Sequence, residues 1–501
     1  MSPEHPAPAE PADLAARAAR KHVVVVGGGV GGLVAARECA KVGMQVTLLE
    51  GSESLGGVIR RVALDDVVVD AGAESYATKG GHVRALVNDL GLSDRVVTPQ
   101  AGGAWLAGLP GGAAPLPAGG ILGIPGNPFQ DDVRRIIGWS GAWRAYLDRV
   151  RPPLTIGHQL SLGRLVASRM GEKVRDRLVA PVTTGVYSAS PDDVDIDVAA
   201  PGLNAALTRV GSLSGAVLAL RGEAASRGAK TPGAAVEGLV GGMSVLVDAL
   251  AADLDELGAT VRTRVRARRL TTDGTTWRVV VEEPAAEEPI EGEETTQEAE
   301  LAADAVIVAT SEHGARELLA GAVPALAAAD AAPAPEIEII SLLLDSPALR
   351  IPPRGTGVLT VPHSHTAKAL THSTAKWSWV RAAAGDREVV RVSFGAQGEP
   401  AATAALDDEA AVDLARREAS ALLGVPLTAD HVVAGHRGRF VQAQPASIIG
   451  SGERRAAARQ AVQAVPGLAA VGAWLAGTGL AQVVPDAAEE AERLRRALLW
   501  D

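Results

Sequence analysis

The stretch of sequence that decides the fold is residues 22–50, HVVVVGGGVGGLVAARECAKVGMQVTLLE. The four valines at residues 23–26 predict a buried strand, and the apolar pattern of residues 30–42 predicts a helix. Residues 45–49 predict a second strand, which ends at Glu50. Because two parallel strands need a crossover connection, this order indicates a βαβ unit at the start of an open α/β sheet.

The glycines between the first strand and the helix match the GxGxxG pattern through Gly27, Gly29 and Gly32. The pattern alone is weak, but here it follows a strand, opens a helix and precedes an acidic residue at the end of the next strand. Gly27 permits the tight turn, Gly29 lets the backbone approach a pyrophosphate, and the helix N-terminus presents N–H groups to the phosphates. Glu50 is expected to accept hydrogen bonds from ribose hydroxyls, whereas the alternative is a structural turn that binds nothing. The residues predicted to bind a dinucleotide here are Gly27, Gly28, Gly29, Val30, Gly31, Gly32, Glu50, Gly51 and Ser52.

The motif Glu50-x5-Gly56-Gly57, with two arginines close behind it, favours FAD over NAD. Its glycines let the chain pass close to the cofactor, and an arginine there can meet a phosphate. The sequence contains no second GxGxxG unit, which reductases using both NAD(P)H and FAD often have. Cys39 lies in the first helix, on the phosphate side, and is expected to be a buried apolar residue. We therefore predict non-covalent FAD and an oxidase whose flavin is reoxidised by oxygen or another small acceptor.

Composition limits the remaining classes. The 501 residues suggest two or three folding units, and a net charge of −11 without a basic stripe argues against a nucleic-acid partner. One cysteine and no signal-peptide pattern favour a cytoplasmic location. Residues 96–130 and 461–485 carry no charged side chain, but glycines and prolines interrupt both, so neither predicts a membrane-spanning helix. Peripheral membrane contact stays open.

Blocks of sequence spread from about residue 23 to residue 498 carry a family resemblance. The blocks are 22–75, Leu116-Pro117-Ala118-Gly119, Gly123-Ile124-Pro125, Arg177-Leu178-Val179-Ala180-Pro181, Gly185-Val186-Tyr187, Gly241-Gly242-Met243 with Val265, Ala375-Lys376-Trp377, and Gly472 with Gly477-Thr478-Gly479-Leu480. The chain resembles the flavin oxidases of haem synthesis, the protoporphyrinogen and coproporphyrinogen III oxidases. The first block, residues 241–243 and the last block are shared with amine oxidases and phytoene desaturases, so they indicate FAD only.

The resemblance implies an α/β fold with a discontinuous Rossmann-like FAD domain, a helical domain and a mixed-sheet substrate domain. The FAD domain would comprise residues 21–100, 235–320 and 455–501, after a disordered tail over residues 1–20. A largely helical substrate-side domain would cover residues 101–234, and the substrate-binding sheet domain residues 321–454. Further elements predicted from the pattern are helices at 13–20, 82–90, 241–257, 407–423, 456–462 and 487–499, strands at 261–265 and 277–282, and a mobile acidic loop at 284–300.

The same resemblance implies a reaction and its partners. A porphyrinogen, with the tetracarboxylate coproporphyrinogen III preferred, would lose six electrons in three steps to FAD, with oxygen as acceptor and hydrogen peroxide released. The product could pass to the next enzyme of haem synthesis. The flavin does the redox work, so no catalytic side chain is predicted; the candidate substrate contacts are Lys376, Trp377 and Arg439. The remaining cofactor contacts it implies are Gly56, Gly57, Gly72, Ala73, Glu74, Ser75, Val265, Phe440, Thr478, Gly479 and Leu480.

Some positions depart from the family, mainly Phe440, residues 445–451 and Leu480-Ala481. Two alternatives therefore stay open: an oxidase of amines or a desaturase, and a flavin-binding paralogue that carries out no turnover. No metal site is predicted. His363, His365 and His372 have no cysteine or carboxylate near them in the sequence, so they do not form a metal-binding motif. The acidic residues at 192–197 lack the glycine and the glutamate of a calcium loop, so this segment is predicted to be a solvated loop or a helix cap.

Overall fold

A computed structural model describes residues 11–150, 160–226, 236–284, 296–327, 334–441 and 447–500. The helices are α1 (Pro11–Ala18), α2 (Val30–Ala40), α3 (His82–Asp89), α4 (Asp131–Tyr146), α5 (Leu162–Met170), α6 (Glu172–Val174), α7 (Ala180–Tyr187), α8 (Ile196–Ala199), α9 (Leu203–Val210), α10 (Leu213–Ser226), α11 (Ser244–Glu256), α12 (Glu312–Leu319), α13 (Pro324–Ala327), α14 (Ser373–Lys376), α15 (Ser378–Ala384), α16 (Asp408–Leu423), α17 (Ser451–Gln463), α18 (Ala473–Ala476) and α19 (Leu480–Trp500). The strands are β1 (His22–Val26), β2 (Gln45–Leu49), β3 (Arg61–Leu64), β4 (Val67–Asp70), β5 (Tyr76–Ala77), β6 (Val96–Val97), β7 (Ala104–Leu109), β8 (Gly112–Pro115), β9 (Val236–Leu239), β10 (Thr260–Arg262), β11 (Arg266–Thr272), β12 (Trp277–Pro284), β13 (Thr296–Ala303), β14 (Ala305–Val308), β15 (Glu336–Leu344), β16 (Gly357–Thr360), β17 (Ala369–His372), β18 (Glu388–Phe394), β19 (Val432–Val441) and β20 (Leu468–Ala470).

A parallel five-stranded sheet, in the order β10-β2-β1-β14-β20, forms the centre of the first unit. Val23 and Val25 pack into the core on the side of α2 and α19, while Val24 and Val26 pack into the core on the side of β12 and α12. Burial on both faces is why β1 is a continuous apolar run. The predicted βαβ unit is confirmed, with α2 ending at Ala40.

Residues 284–300 were predicted as a mobile loop, and this is wrong for their C-terminal part. Thr296 begins β13, which pairs antiparallel with β12; residues 285–295 lie outside the described residues. Polar contacts between the strands hold this acidic strand, because Arg278 Nη1 donates to Glu300 Oε1 at 2.8 Å and Thr296 Oγ1 donates to Glu282 Oε1 at 2.9 Å.

A mixed seven-stranded sheet, in the order β19-β15-β18-β17-β16-β7-β8, forms the second unit. Helix α16 packs on one face of it. The predicted boundary of the helical domain at residue 101 needs correction, because β7 and β8 belong to this sheet, and β7 pairs parallel with β16. The alternating pattern that would predict β7 and β8 is hard to recognise in the sequence, because residues 96–130 contain many glycines and the pairing of the two strands shifts register between Leu106 and Leu109. Helices α4 to α10 follow as a helical unit.

The ends of the chain differ from expectation in two ways. The tail predicted over residues 1–20 is wrong from Pro11 onward, because the helix predicted at 13–20 forms as α1 and Ala18 is buried; residues 1–10 lie outside the described residues. Helix α19 begins at Leu480, seven residues before the predicted start, and continues through Pro485. No single helix in the described ranges is long and apolar enough to cross a membrane; α9 and residues 213–223, bent by 117°, meet the length and composition test only together.

Candidate cofactor and substrate site

The glycine turn at the N-terminus of α2 combines tight packing with one open position. A Cβ on Gly32 would lie 1.9 Å from Gly27 O, so helix and turn touch there. A Cβ on Gly29 would have nothing within 4 Å, so the turn faces open space at this residue. Gly29 is the N-cap of α2 and offers no capping side chain, which leaves the first N–H groups of the helix directed at that space. This is the shape that an approaching pyrophosphate requires.

Glu50 lies at the end of β2, beside this turn. Its Oε2 accepts the Gly28 N–H at 2.7 Å and its Oε1 accepts the Ser52 N–H at 2.8 Å. A carboxylate has about four acceptor positions, so two remain for ribose hydroxyls. The Glu50 carbonyl accepts the Val265 N–H at 2.9 Å, and Val265 is buried. Glu50, Ser52 and Val265 are therefore brought together as the sequence predicts.

Two further glycine segments reach the same turn from distant parts of the chain. The Gly56 N–H donates to Gly28 O at 2.8 Å, and a Cβ on Gly57 would lie 3.4 Å from Gly29 Cα. A Cβ on Gly31 would meet Val483 of α19 at 3.2 Å. Helix α19 begins beside the turn, and a Cβ on Gly479 would face open space. The N-terminal turn of α19 thus packs beside the glycine turn of α2, so both helix N-termini lie in the cradle, the region predicted to hold the dinucleotide.

The loop at Gly72 closes the cradle on the side of the seven-stranded sheet. A Cβ on Gly72 would lie 3.2 Å from Phe440 Cε1, and Arg391 donates to the carbonyl oxygens of Ala71 and Gly72. Arg391 Nη1 also donates to Glu74 Oε2 at 2.9 Å. Ala73 and Ser75 are partly buried in this loop. All the segments predicted to bind the cofactor are therefore adjacent, while contact with the cofactor stays a prediction.

Glu74 is held by two cations. Lys376 Nζ donates to Glu74 Oε1 at 2.5 Å, opposite Arg391. Burial opposes ionisation of this carboxyl, but the charges of Lys376 and Arg391 outweigh it and lower the pKa of Glu74 to about 2. Glu74 is therefore ionised at neutral pH and fastens the Gly72 loop to the sheet unit.

The candidate substrate contacts need correction on this geometry. Lys376 is engaged by Glu74. Trp377 is 1% exposed, and its ring packs against Gly238, so the indole belongs to the core. Arg439 pairs with Glu338 at 3.1 Å, and because successive residues of a strand point to opposite faces, it lies on the other face from Phe440. For each of the three, direct contact with a substrate in the cradle lacks structural support.

A row of residues across the seven-stranded sheet remains partly exposed on the face opposite α16. The row consists of Ile339, Ser393, Ala369 and Leu359, which pair with one another across β15, β18, β17 and β16. The Gly72 loop bounds this open sheet face on one side. On the other side is α7, where a Cβ on Gly185 would lie 2.5 Å from Leu359 Cδ2. The open sheet face therefore lies beside the cradle, between the Gly72 loop and α7, which makes it the candidate substrate surface.

Lys368, which sequence reasoning missed, lies at the edge of the open sheet face. Its backbone N–H donates to Ser393 O at 2.9 Å, and its Nζ donates to Ser188 Oγ at 2.6 Å. Burial lowers the pKa of Lys368 to about 7. The sequence does contain one signal for Lys368: it is a single lysine between Ala367 and the apolar residues that begin β17. A strand that enters a core rarely carries a charged residue, so such a lysine is a candidate functional residue.

The residues rejected as metal ligands have other roles. His372 Nε2 lies 2.9 Å from Glu388 Oε2 in a buried cluster with Thr374. The side chain of Asp195 caps α8, as the sequence suggested for this acidic segment. Within the ranges the structure describes, no three His, Cys, Asp or Glu residues are grouped to hold a metal. Cys39 is fully buried, as predicted, and burial raises the pKa of its thiol to about 12.

Comparison with known proteins agrees with this architecture. The family of flavin containing amine oxidoreductases matches residues 30–497. The chain belongs to this family, and membership implies a flavin cofactor.

Relatives named coproporphyrinogen III oxidase place the chain more narrowly within that family. The one from Mycobacterium bovis is 31% identical over 91% of this chain and 93% of its own length. The one from Propionibacterium freudenreichii is 27% identical over 95% of this chain and 91% of its own length. A crystal structure from Exiguobacterium sp. 255-15, provisionally named a protoporphyrinogen oxidase, has a TM-score of 0.80 at 22% identity and covers 95% of this chain and 99% of its own. That last likeness establishes the fold.

Proposed function

We propose that the chain binds FAD non-covalently and oxidises coproporphyrinogen III to coproporphyrin III in haem biosynthesis. The observation that carries the proposal is a glycine turn that is open at Gly29 and lies beside the open sheet face, in a chain similar over nearly its whole length to coproporphyrinogen III oxidases. When bound, FAD would supply the hydride acceptor, and oxygen would reoxidise it with release of hydrogen peroxide. Six electrons leave the substrate in three such steps; protoporphyrinogen IX would be a second substrate.

The residues of the chain would position the reactants. Gly29 and the N-terminus of α2 would accept the pyrophosphate, and Glu50 would hold the ribose. The N-terminus of α19, after the glycine turn 477–479, would donate N–H groups to the pyrimidine end of the flavin. The Glu74 ion pairs would fix the Gly72 loop between the cofactor and the open sheet face. The buried thiol of Cys39, whose pKa is about 12, is unreactive, which supports a cofactor without a covalent bond to it.

The test is turnover with purified protein. Coproporphyrinogen III in air should give porphyrin fluorescence well above the spontaneous rate, with oxygen consumed and hydrogen peroxide formed. Catalase, which returns half of the consumed oxygen, provides the control for peroxide. A rate equal to spontaneous oxidation would reject the proposal.

Residues 445–451 depart from the family pattern, and this departure favours a second candidate function, that of a flavin-binding paralogue without turnover. Residues 442–446 lie outside the described residues, and Ser447 and Ile449 pack against the acidic segment, with the Ile449 N–H donating to Asp193 O at 3.0 Å. Tight flavin binding that no porphyrinogen reduces would favour this candidate. Amine-dependent peroxide release would instead favour an amine oxidase.

A group of exposed aromatic side chains supports peripheral membrane contact by a cytoplasmic protein. Trp139 and Trp143 are 61% and 57% exposed on the helical unit, next to Tyr146. The guanidinium carbons of Arg134 and Arg149 lie 4.4 and 5.5 Å from the ring centroids of Trp139 and Tyr146. Aromatic rings with arginines suit the headgroup region of an anionic bilayer. A surface that hands the product to the next enzyme of haem synthesis could use the same rings.

A further inference from the structure

The amino group of Lys368 joins two units at the edge of the open sheet face. Its backbone is fixed to Ser393 of β18, and its Nζ reaches Ser188, directly after α7. Arg391, which holds the Gly72 loop, precedes Ser393 by two residues on the same face, a spacing of about 7 Å along the strand. A macrocycle with propionate arms can span from the cofactor loop to Lys368.

Lys368 differs from the other cations near the cradle in having no acidic partner among the described residues. Lys376 and Arg391 both pair with Glu74. Lys368 donates to a hydroxyl, and burial is the cause of its lowered pKa. An ammonium has three N–H donors, so two remain for a ligand. A partly buried cation without a counter-ion is costly, and an anionic ligand would remove that cost.

Ser188 is held firmly as the second member of this group. It adopts a left-handed conformation with φ of 55°, and its carbonyl accepts the Gln397 N–H at 2.8 Å. The side-chain oxygen of Gln397 is buried and has no partner among the described residues. Gln397 also lines a cleft of about 630 Å³ with Arg164 and Asp192. The Lys368 ammonium and the Ser188 hydroxyl therefore form one group, and the backbone of Gln397 fixes Ser188 from the other side.

We propose that Lys368 and Ser188 bind a carboxylate that is present on the four-carboxylate porphyrinogen and absent from the two-carboxylate one. The site would then set the preference for coproporphyrinogen III over protoporphyrinogen IX. This inference rests on the proposed function and names the substrate class for the same site. Charge-assisted hydrogen bonds of this kind are among the stronger polar contacts and depend on burial.

Proton uptake on binding is the signature of this site. The charged groups on neighbouring elements are engaged elsewhere: Arg391 with Glu74, and Glu418 of α16 with the Ala367 N–H. Asp192, beyond Ser188, is exposed. With a pKa of about 7, Lys368 is mostly neutral at pH 8 in the free protein. A bound carboxylate raises that pKa, so binding should take up most of one proton at pH 8 and much less at pH 6.

The experiment is calorimetric titration of the flavin-loaded full chain with coproporphyrin III and protoporphyrin IX, in two buffers of different ionisation enthalpy. In Lys368→Met we expect about tenfold weaker binding of coproporphyrin III and no proton uptake at pH 8. Lys368→Arg should keep the binding, because it keeps the charge. Lys173→Met is the matched control, since Lys173 lies on the helical unit and contacts Ser140. In turnover, the ratio of kcat/KM for the two porphyrinogens should fall about tenfold in Lys368→Met, through KM.

Equal losses for both porphyrins, or proton uptake unchanged in Lys368→Met, would overturn the inference. A fall in kcat of Lys368→Met with unchanged porphyrin binding would also overturn it, because Lys368 would then act in the oxidation step and not in binding the carboxylate. Binding and proton uptake are measured without turnover. An inactive wild-type protein would therefore contradict the proposed function, while the titration would still decide the carboxylate site. Equal flavin content and circular dichroism in all variants would exclude misfolding.

Discussion

Replacing Glu74 with Gln should destabilise the protein by leaving Lys376 and Arg391 without their shared anion. The pKa of Glu74 falls from 4.5 to about 2 in the folded protein. At 1.36 kcal/mol per pKa unit, that difference corresponds to about 3 kcal/mol. Removing one partner of a buried ion pair costs about 3–5 kcal/mol, which agrees. In Glu74→Gln we therefore expect the free energy of unfolding to fall by about 3 kcal/mol at pH 7.

Thermal unfolding of wild type and variant provides the assay, with Glu256→Gln as control because Glu256 is exposed at the end of α11. We expect the variant to melt several degrees lower at pH 7. Because the folded pKa of Glu74 is lowered, its contribution is present above the unfolded pKa and is lost as pH falls toward 2. The difference between the two proteins should therefore shrink below pH 4. A variant that melts within a degree of wild type at pH 7 would refute the reasoning.

Three further predictions concern the cradle, a buried acid and the surface. Gly29→Val should fold normally but purify with little flavin, since its side chain would fill the path of the pyrophosphate; the ratio of visible to ultraviolet absorbance measures this. Burial raises the pKa of Asp70 to about 7, so its stabilising contribution is present below pH 3.8 and is lost as pH rises through 7. The melting temperature of wild type should therefore fall more between pH 5 and pH 8 than that of Asp70→Asn. The double substitution of Trp139 and Trp143 by Ser should abolish co-sedimentation with phosphatidylglycerol vesicles, whereas Trp500→Ser should not.

Each of these has an outcome that would contradict it. Gly222 is exposed on α10 with free space around it, so Gly222→Val is the matched control for Gly29→Val, and equal flavin loss in both would remove the argument from the cradle. Parallel pH profiles for wild type and Asp70→Asn would mean that Asp70 is not the titrating group. Trp500 is 58% exposed and lies at the other end of the chain. If Trp500→Ser lost as much vesicle binding as the double variant, the binding would be a non-specific effect of exposed tryptophans.

Local signals in the sequence were enough to predict the βαβ unit and the position of Glu50 beside its glycine turn. The valine run, the glycine turn and Glu50 are close in sequence, and each has a mechanism that holds for any chain with that pattern. Val265 and residues 478–480 came from the family resemblance, and the structure brings both to the same turn. The family match over residues 30–497 agrees with the resemblance.

The substrate half could not be predicted because it depends on pairing between distant strands. Whether Arg439 faces the cradle is decided by the register of β19 on β15, and a shift of one residue reverses the face. Whether Lys376 is free depends on Glu74, which lies about 300 residues earlier. Lys368 belongs to no sequence motif. It becomes a candidate substrate contact only because the fold places it beside the partly exposed row on the sheet and within hydrogen-bond distance of the Ser188 hydroxyl. Strands β7 and β8 were missed for a similar reason, since their place in the sheet comes from β16.

The most direct test of the central claim is anaerobic mixing of the purified protein with coproporphyrinogen III while the flavin band at roughly 450 nm is followed. The account predicts that the band bleaches, and that it returns together with porphyrin fluorescence when air is admitted. A flavin band that stays unchanged in the presence of excess coproporphyrinogen III would contradict the account.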